Sequence, residues 1–200
     1  KICSYYSTDG LITIDSNDSK KFTMNYFNND GTWETLCING LTCLSILLGK
    51  ELSKKKLHIE SNHILYPIDI KDNKIVKIKL PAPNYKLKNL TLNNIKGTYI
   101  DSGAKHFIVE VKEWASKDKL ITLAKKIRYN KKVFPNGTNV NFFKLLNKST
   151  IEVKTYEKGV EKLMKSCASG SYACAYDCYK NDKVGNRINV INPGGEFTIT

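Results

Sequence analysis

Hydrophobic and polar residues alternate along several short stretches of this chain, as they do in strands that bury one face. The clearest stretch is Ile151 to Tyr156, where the period of two is unbroken. Alternation, or a short apolar run between turn residues, predicts further strands at 11–14, 22–26, 54–59, 63–70, 74–80, 99–100, 106–111, 139–145, 187–191 and 197–200. Residues 15–21 are predicted to form a polar loop, and 81–97 a less regular stretch.

Three other segments have the spacing or the composition of helices. Lys117 to Tyr129 carries apolar residues at helical spacing. Leu41 to Leu48 is apolar on nearly every side, which predicts a buried helix ended by Gly49. Tyr172 to Tyr179 is apolar and rich in small residues. Strands followed by an apolar helix therefore occur twice, which predicts two half-domains, 1–95 and 96–200.

A cysteine comes just before each apolar helix: Cys37 in the first half and Cys167 in the second. Free N–H groups and the positive end of the helix dipole meet at a helix start. Such surroundings lower the pKa of reactive thiols to about 3.5–7.5. A single cysteine there could be only a small buried hydrophobe, but two in equivalent places predict reactive thiols that face one cleft.

The net charge of +13 raises the possibility of a nucleic-acid partner. The lysines are scattered, however, and the longest run is Lys54 to Lys56, with no stripe of basic and aromatic residues. We therefore predict a solvated, lysine-rich surface and no nucleic-acid partner.

The six cysteines are also compatible with a disulfide framework or a metal site. The chain is longer than disulfide-stapled domains usually are and shows no secretory leader. Cys174 and Cys178 lie one helical turn apart without a matching His or Cys pair, so no metal is expected. No apolar run has transmembrane length. We expect a reduced, cytoplasmic protein with no membrane partner.

Two longer motifs surround the cysteines. Phe27-Asn28-Asn29-Asp30-Gly31-Thr32 is followed by Cys37-Ile38-Asn39-Gly40, and Tyr156-Glu157-Lys158-Gly159-Val160 is followed by Cys167-Ala168-Ser169-Gly170. Both resemble the cysteine motifs of the pyridoxal-phosphate-independent diaminopimelate epimerases. Four further segments match that family in order along the chain: Thr8 to Ile12, Asp101 to His106, Phe134 to Val140 and Pro193 to Gly195.

The resemblance implies an α/β (α+β) fold of two pseudo-symmetric halves, each a mostly antiparallel sheet wrapped around a central helix. It also implies conversion of LL-2,6-diaminopimelate into the meso form, without a cofactor, for lysine and peptidoglycan synthesis. In that reaction one cysteine thiolate removes the α-proton while the other cysteine delivers a proton to the opposite face. The family tends to form homodimers, so a homodimer is expected.

The resemblance also assigns roles to individual residues. Cys37 and Cys167 are the catalytic pair, and His106 and Glu157 tune their pKa values. Without the resemblance, these two would be interpreted as a surface-strand histidine and a strand-end glutamate. The residues expected to bind substrate are those around both helix starts and at the distal end of the ligand: Asn28, Ile38, Asn39, Asn139, Glu157, Lys158, Ala168 and Ser169.

The chain departs from the family pattern at several of these positions. Ile38 and Ala168 replace the glycine that follows each cysteine, Lys158 replaces an arginine, and Ala104 replaces an asparagine. The family's first strand and helix and its last strands are not among these residues. Two alternatives therefore stay open: a racemase for another amino acid, and an inactive member of the family that acts as a binding protein.

Overall fold

A computed structural model describes residues 2–18, 21–71 and 75–200 of the chain. The chain divides into two compact units, Lys1–Pro81 and Ala82–Thr200. The sequence pattern had placed the boundary of the half-domains after residue 95. In the described ranges, no helix is both long and apolar enough to cross a membrane.

The first unit contains a six-stranded sheet, in which five strands run in the order β1-β2-β4-β5-β6 and β3 pairs with β2. Its elements are α1 (Ile2–Tyr6), β1 (Gly10–Asp18), β2 (Lys21–Asn28), β3 (Trp33–Glu34), α2 (Ile38–Glu51), β4 (Lys56–Ser61), β5 (Ile64–Ile70) and β6 (Val76–Ile78).

The second unit contains a seven-stranded sheet in the order β13-β12-β11-β10-β9-β8-β7. Its elements are β7 (Asn84–Leu92), β8 (Ile95–Asp101), β9 (Lys105–Glu110), α3 (Lys117–Arg128), β10 (Asn139–Asn147), β11 (Thr150–Tyr156), α4 (Ala168–Lys180), β12 (Ile188–Asn192) and β13 (Gly195–Ile199).

Part of each unit has the same topology. In the first, the antiparallel pair β1–β2 is followed by α2, then by β4 parallel to β2, and by β5 antiparallel to β4. In the second, β10–β11 is followed by α4, then by β12 parallel to β11, and by β13 antiparallel to β12. This repeat, and the mainly antiparallel pairing, confirm the predicted α+β fold with two pseudo-symmetric halves.

The second sheet is covered by a helix on each face. Apolar side chains of α4 pack with one set of strand residues, which includes Ile108, Phe143 and Val153. Leu120, Ala124 and Ile127 of α3 pack with another set on the opposite face. Because both faces of the central strands are buried, β9 and β10 are apolar at consecutive positions rather than alternating. The small residues that suggested a buried α4 are Ala173, Cys174, Ala175 and Cys178, all fully buried.

Two predicted stretches differ from the structure. The irregular stretch predicted at 81–97 contains the strand Asn84–Leu92, which was missed because register shifts between Tyr85 and Leu87 and between Leu87 and Leu90 break the alternation. The predicted loop at 15–21 is shorter, since β1 extends to Asp18 by pairing with β2. Lys74 of the predicted strand 74–80, and Ser19 and Lys20 of that loop, lie outside the described residues.

Gly49 was predicted to end the first buried helix, but α2 continues to Glu51. A Cβ at Gly49 would overlap the Ile70 side chain and lie 3.0 Å from the Lys54 carbonyl oxygen. Glycine is therefore needed here for close packing of the helix on its sheet, not for a left-handed helix end.

Candidate active site

Cys37 is the N-cap residue of α2, with φ −115° and ψ 102°. Its sulfur accepts a hydrogen bond from the Gly40 N–H, at 3.3 Å. A hydrogen bond from a helix-start N–H stabilises a thiolate more than a thiol, because the donor and the helix dipole both favour negative charge. Cys37 is only half-buried, so this residue combines an anion-stabilising position with a partly exposed surface.

Cys167 is the N-cap residue of α4 and has nearly the same backbone conformation, with φ −139° and ψ 103°. It is buried, and its sulfur lies 3.5 Å from Ser169 Oγ. Both cysteines thus lie at the helix starts where the sequence pattern predicted them. That the two sulfurs face one cleft stays a prediction.

His106 lies in β9 and has no solvent-exposed surface, so the alternative of a surface-strand histidine is wrong. Its Nδ1 is 2.8 Å from Asn141 Oδ1, and its Nε2 is 3.0 Å from Ser169 Oγ. Because Ser169 also contacts Cys167, the second unit brings together three residues that the sequence proposed separately.

Asn141 and Thr155 were not identified from the sequence. The Asn141 Nδ2 donates a hydrogen bond to Thr155 Oγ1 at 2.6 Å, and both residues are buried. A signal was available, because the two polar residues occur at directly paired positions of β10 and β11. Finding it required the register of the two strands in addition to their pattern.

The residues assigned to the distal end of a ligand are divided between the units. In the first unit, Asn28 is buried at the end of β2 and donates to Thr32 Oγ1 at 3.1 Å. In the second, Asn139 Oδ1 accepts from the Lys158 N–H at 2.8 Å, and Asn139 Nδ2 donates to the Lys105 carbonyl oxygen at 3.1 Å. Asn139 therefore connects the Lys158 turn to the β9 end of the sheet.

The remaining predicted residues lie in or beside the same elements. Ile38 and Asn39 form the first turn of α2, and Ala168 and Ser169 the first turn of α4. Glu157 follows β11, where its carbonyl oxygen accepts from the Glu161 N–H at 2.8 Å. The backbone N–H groups of the four first-turn residues lie at helix N-termini, which attract anions.

Glu161, also missed from the sequence, holds the turn that contains Lys158. Its carboxylate accepts from Arg128 Nε at 3.1 Å, Tyr129 Oη at 2.8 Å and the Gly159 N–H at 3.2 Å. Partial burial acts to raise the pKa of Glu161, but the hydrogen bonds from Tyr129 and Gly159 and the charge of Arg128 outweigh it and hold the pKa below 4.5.

Glu161→Gln should lower the free energy of unfolding by about 1 kcal/mol at pH 7. The figure is modest because the Glu161 side chain is 33% exposed, and solvent screens its pairing with Arg128. Since folding lowers the pKa of Glu161, its contribution exists above pH 4.5 and disappears as the pH falls through the folded-state value. Urea unfolding at a series of pH values measures the difference.

Glu113→Gln is the matched control, because Glu113 pairs with Lys144 but is 86% exposed. It should leave the stability almost unchanged at every pH. A Glu161→Gln effect of the same size at pH 3 as at pH 7 would contradict the role given to the Glu161 charge.

The other cysteines have different surroundings. None of the six forms a disulfide in the part of the chain that the structure describes. Burial, together with the nearby Asp177 carboxylate, raises the pKa of Cys178 to about 12, and burial raises that of Cys174 well above 9.0. These two thiols are therefore protonated at neutral pH. Among the residues that the structure describes, no three His, Cys, Asp or Glu side chains come together as a metal site requires.

Comparison with known proteins identifies relatives of this chain. A family model for diaminopimelate epimerase matches residues 98–200. A diaminopimelate epimerase of Aquifex aeolicus is 32% identical over 98% of this chain and 74% of its own length. The chain belongs to the diaminopimelate epimerase family. A second member, from Chlorobaculum tepidum, is 30% identical over 90% of this chain and 71% of its own length.

Membership of the diaminopimelate epimerase family makes the chain an isomerase of the epimerase class. Solved structures show the same fold in more distant proteins. A hydroxyproline epimerase from Agrobacterium vitis gives a TM-score of 0.74 at 13% identity, over 94% of this chain and 64% of that one. A phenazine biosynthesis protein of the PhzF family from Bacillus anthracis gives 0.64 at 18% identity, over 98% and 77%.

Proposed function

We propose that this epimerase converts LL-2,6-diaminopimelate into meso-diaminopimelate by a cofactor-independent, two-base reaction of Cys37 and Cys167. The observation that supports it best is the equivalent N-cap placement of these cysteines in the two topologically equivalent parts of the chain. Membership of the family supports the substrate. The product would supply lysine and peptidoglycan synthesis.

The chemistry explains why two thiols are needed. An α-hydrogen beside a carboxylate is a weak acid, so a base must contact it directly while the developing negative charge is stabilised. In the proposed reaction a thiolate removes the proton from one face, and the opposite thiol donates a proton to the other. The carbon is thereby inverted, and the two sulfurs exchange their protonation states.

The α-carboxylate would bind to the N–H groups at the two helix starts, those of Ile38, Asn39, Ala168 and Ser169. Helix N-termini bind anions in this way. Such donors also stabilise the charge that develops on the carboxylate during proton removal, and losing one donor in a comparable site costs about 10²–10³ in rate. The distal end would contact Asn28, Asn139, Glu157 and Lys158.

A second candidate is racemisation of a different amino acid. It is favoured by Lys158, which has no fork of donors for two-point binding of a distal carboxylate as arginine has. It is also favoured by Ile38, whose branched side chain occupies a position where the family pattern has glycine.

Proton exchange in heavy water tests both candidates. The enzyme is incubated in D₂O with LL-diaminopimelate, and NMR follows deuterium at the α-carbon together with formation of the meso isomer. We expect both. Exchange with another amino acid alone would favour the second candidate, and no exchange with any amino acid would leave a binding protein of the same fold.

We propose that the reaction takes place in the cytoplasm, where the thiols stay reduced, and that the enzyme is a homodimer, as is usual in the family. The absence of disulfides among the described cysteines agrees with a reducing compartment.

A further inference from the structure

Four buried side chains connect the Cys167 sulfur to the middle of the second sheet. Ser169 Oγ lies 3.5 Å from Cys167 Sγ and 3.0 Å from His106 Nε2. His106 Nδ1 lies 2.8 Å from Asn141 Oδ1, and Asn141 Nδ2 lies 2.6 Å from Thr155 Oγ1. The five residues are each at most 8% exposed, so few water molecules can compete for these hydrogen bonds.

The orientation of the Asn141 amide sets the direction of each hydrogen bond in this series. Asn141 uses its NH₂ group toward Thr155, so its oxygen must accept from His106 Nδ1–H. A neutral imidazole with its proton on Nδ1 presents a lone pair at Nε2. Ser169 must then donate its hydroxyl proton to Nε2, which leaves the hydroxyl oxygen to accept from the Cys167 thiol.

We infer that the Ser169 hydroxyl transfers a proton between the Cys167 thiol and the His106 imidazole, and that Asn141 fixes the tautomer this transfer requires. The S–H proton of Cys167 moves to Ser169 Oγ as the hydroxyl proton moves to His106 Nε2. The products are a thiolate and an imidazolium, with Ser169 again a neutral hydroxyl. The reverse transfer restores the thiol, so the transfer is a redistribution of protons with no net loss or gain.

The structure holds Ser169 and Asn141 in place for this transfer. Ser102 Oγ donates to the Ser169 carbonyl oxygen at 2.8 Å, which fixes the first turn of α4 against the loop between β8 and β9. Asn141 packs directly on the helix at Gly170, where any Cβ would overlap its amide nitrogen. Ser169, His106 and Asn141 are therefore positioning residues that act on Cys167.

Titratable groups near Cys167 include His106, which connects to it through Ser169, and Cys174 of α4. Burial raises the pKa of Cys174, and the nearby Cys178, Asp177 and Cys167 groups raise it further. Because burial keeps Cys174 protonated at neutral pH, Cys174 does not accept the Cys167 proton. The part played in turnover rests on the proposed function, but the measurements below need no substrate.

The rate of Cys167 alkylation by iodoacetamide, followed by peptide mass spectrometry from pH 5 to 10, tests the inference. Ser169→Ala should move the midpoint upward by about one pH unit, since the thiolate loses a hydrogen bond and its link to the base. Ser169→Thr keeps a hydroxyl and should restore the wild-type midpoint. Alkylation of the exposed Cys43 in the same samples should not change.

A double-mutant cycle with His106→Gln separates a transfer through Ser169 from two independent effects. If the Ser169 hydroxyl links the Cys167 thiol to the His106 imidazole, His106→Gln shifts the midpoint of Cys167 alkylation in the wild type. In the Ser169→Ala background it then adds almost no further shift. Shifts that add would overturn the inference. So would ¹⁵N NMR of the unmodified protein if it showed the His106 proton on Nε2 instead of Nδ1.

Whether the two shifts are coupled or additive does not depend on the proposed function. A protein that inverts no amino acid would still show the coupled shifts if Ser169 transfers the proton. An active epimerase with additive shifts would retain its proposed function and lose this transfer.

Discussion

Replacing either Cys37 or Cys167 by alanine is expected to lower the rate of LL-to-meso conversion by about 10²- to 10⁴-fold, the range that general acid and base groups contribute. Inversion needs a proton removed from one face of the α-carbon and one delivered to the other, so neither thiol can replace its partner. The measurement is formation of the meso isomer, followed by chiral chromatography under saturating substrate.

Cys43→Ala is the control for this experiment, because Cys43 is an exposed cysteine of the same helix that follows Cys37. It should retain wild-type activity. A Cys37→Ala or Cys167→Ala variant with full activity would contradict the two-base assignment, while loss in only one of them would indicate a single-base reaction.

Gly170→Ala is expected to destabilise the second unit by about 1–3 kcal/mol, the cost of inserting a group into a filled core. In an ordinary helix interior the same change stabilises by about 0.5–1 kcal/mol. The sign reverses here because the new Cβ would overlap Asn141 Nδ2 and lie 2.9 Å from Asn141 Cγ. Urea unfolding measures the stability, and the alkylation midpoint of Cys167 should rise as Asn141 is displaced.

Gly185→Ala is the matched substitution, since a Cβ there would be 3.9 Å from the Lys148 carbonyl oxygen and has space. Its stability should stay close to that of the wild type. If Gly170→Ala were as stable as Gly185→Ala, the close packing of α4 on Asn141 would not exist in solution.

Much of the architecture could be predicted from local patterns. Period-two alternation located β11. An apolar run located α2, and an apolar segment rich in small residues located α4, with a cysteine before each helix. These features are local, because helix and strand periods depend only on neighbouring residues along the chain. The strand Asn84–Leu92 was missed for the same reason, since its two register shifts remove the period.

The surroundings of the cysteines could not be predicted in this way. His106 and Ser169 are separated by 63 residues in the chain, and His106 and Asn141 by 35. Alternation could not show that His106 is buried, because β9 is covered on one face by α4 and on the other by α3. The importance of Glu161 likewise depends on α3, which brings Arg128 and Tyr129 to it.

The sequence by itself determined that two helices begin at cysteines in two similar halves, because residue spacing and helix-start chemistry are local properties. Only the tertiary structure decided how His106 and Asn141 connect to Cys167 through Ser169, since strand register and helix packing bring distant polar side chains within hydrogen-bonding distance. A buried polar chain of this kind forms only when every donor finds its acceptor, and those pairings exist only in the folded sheet.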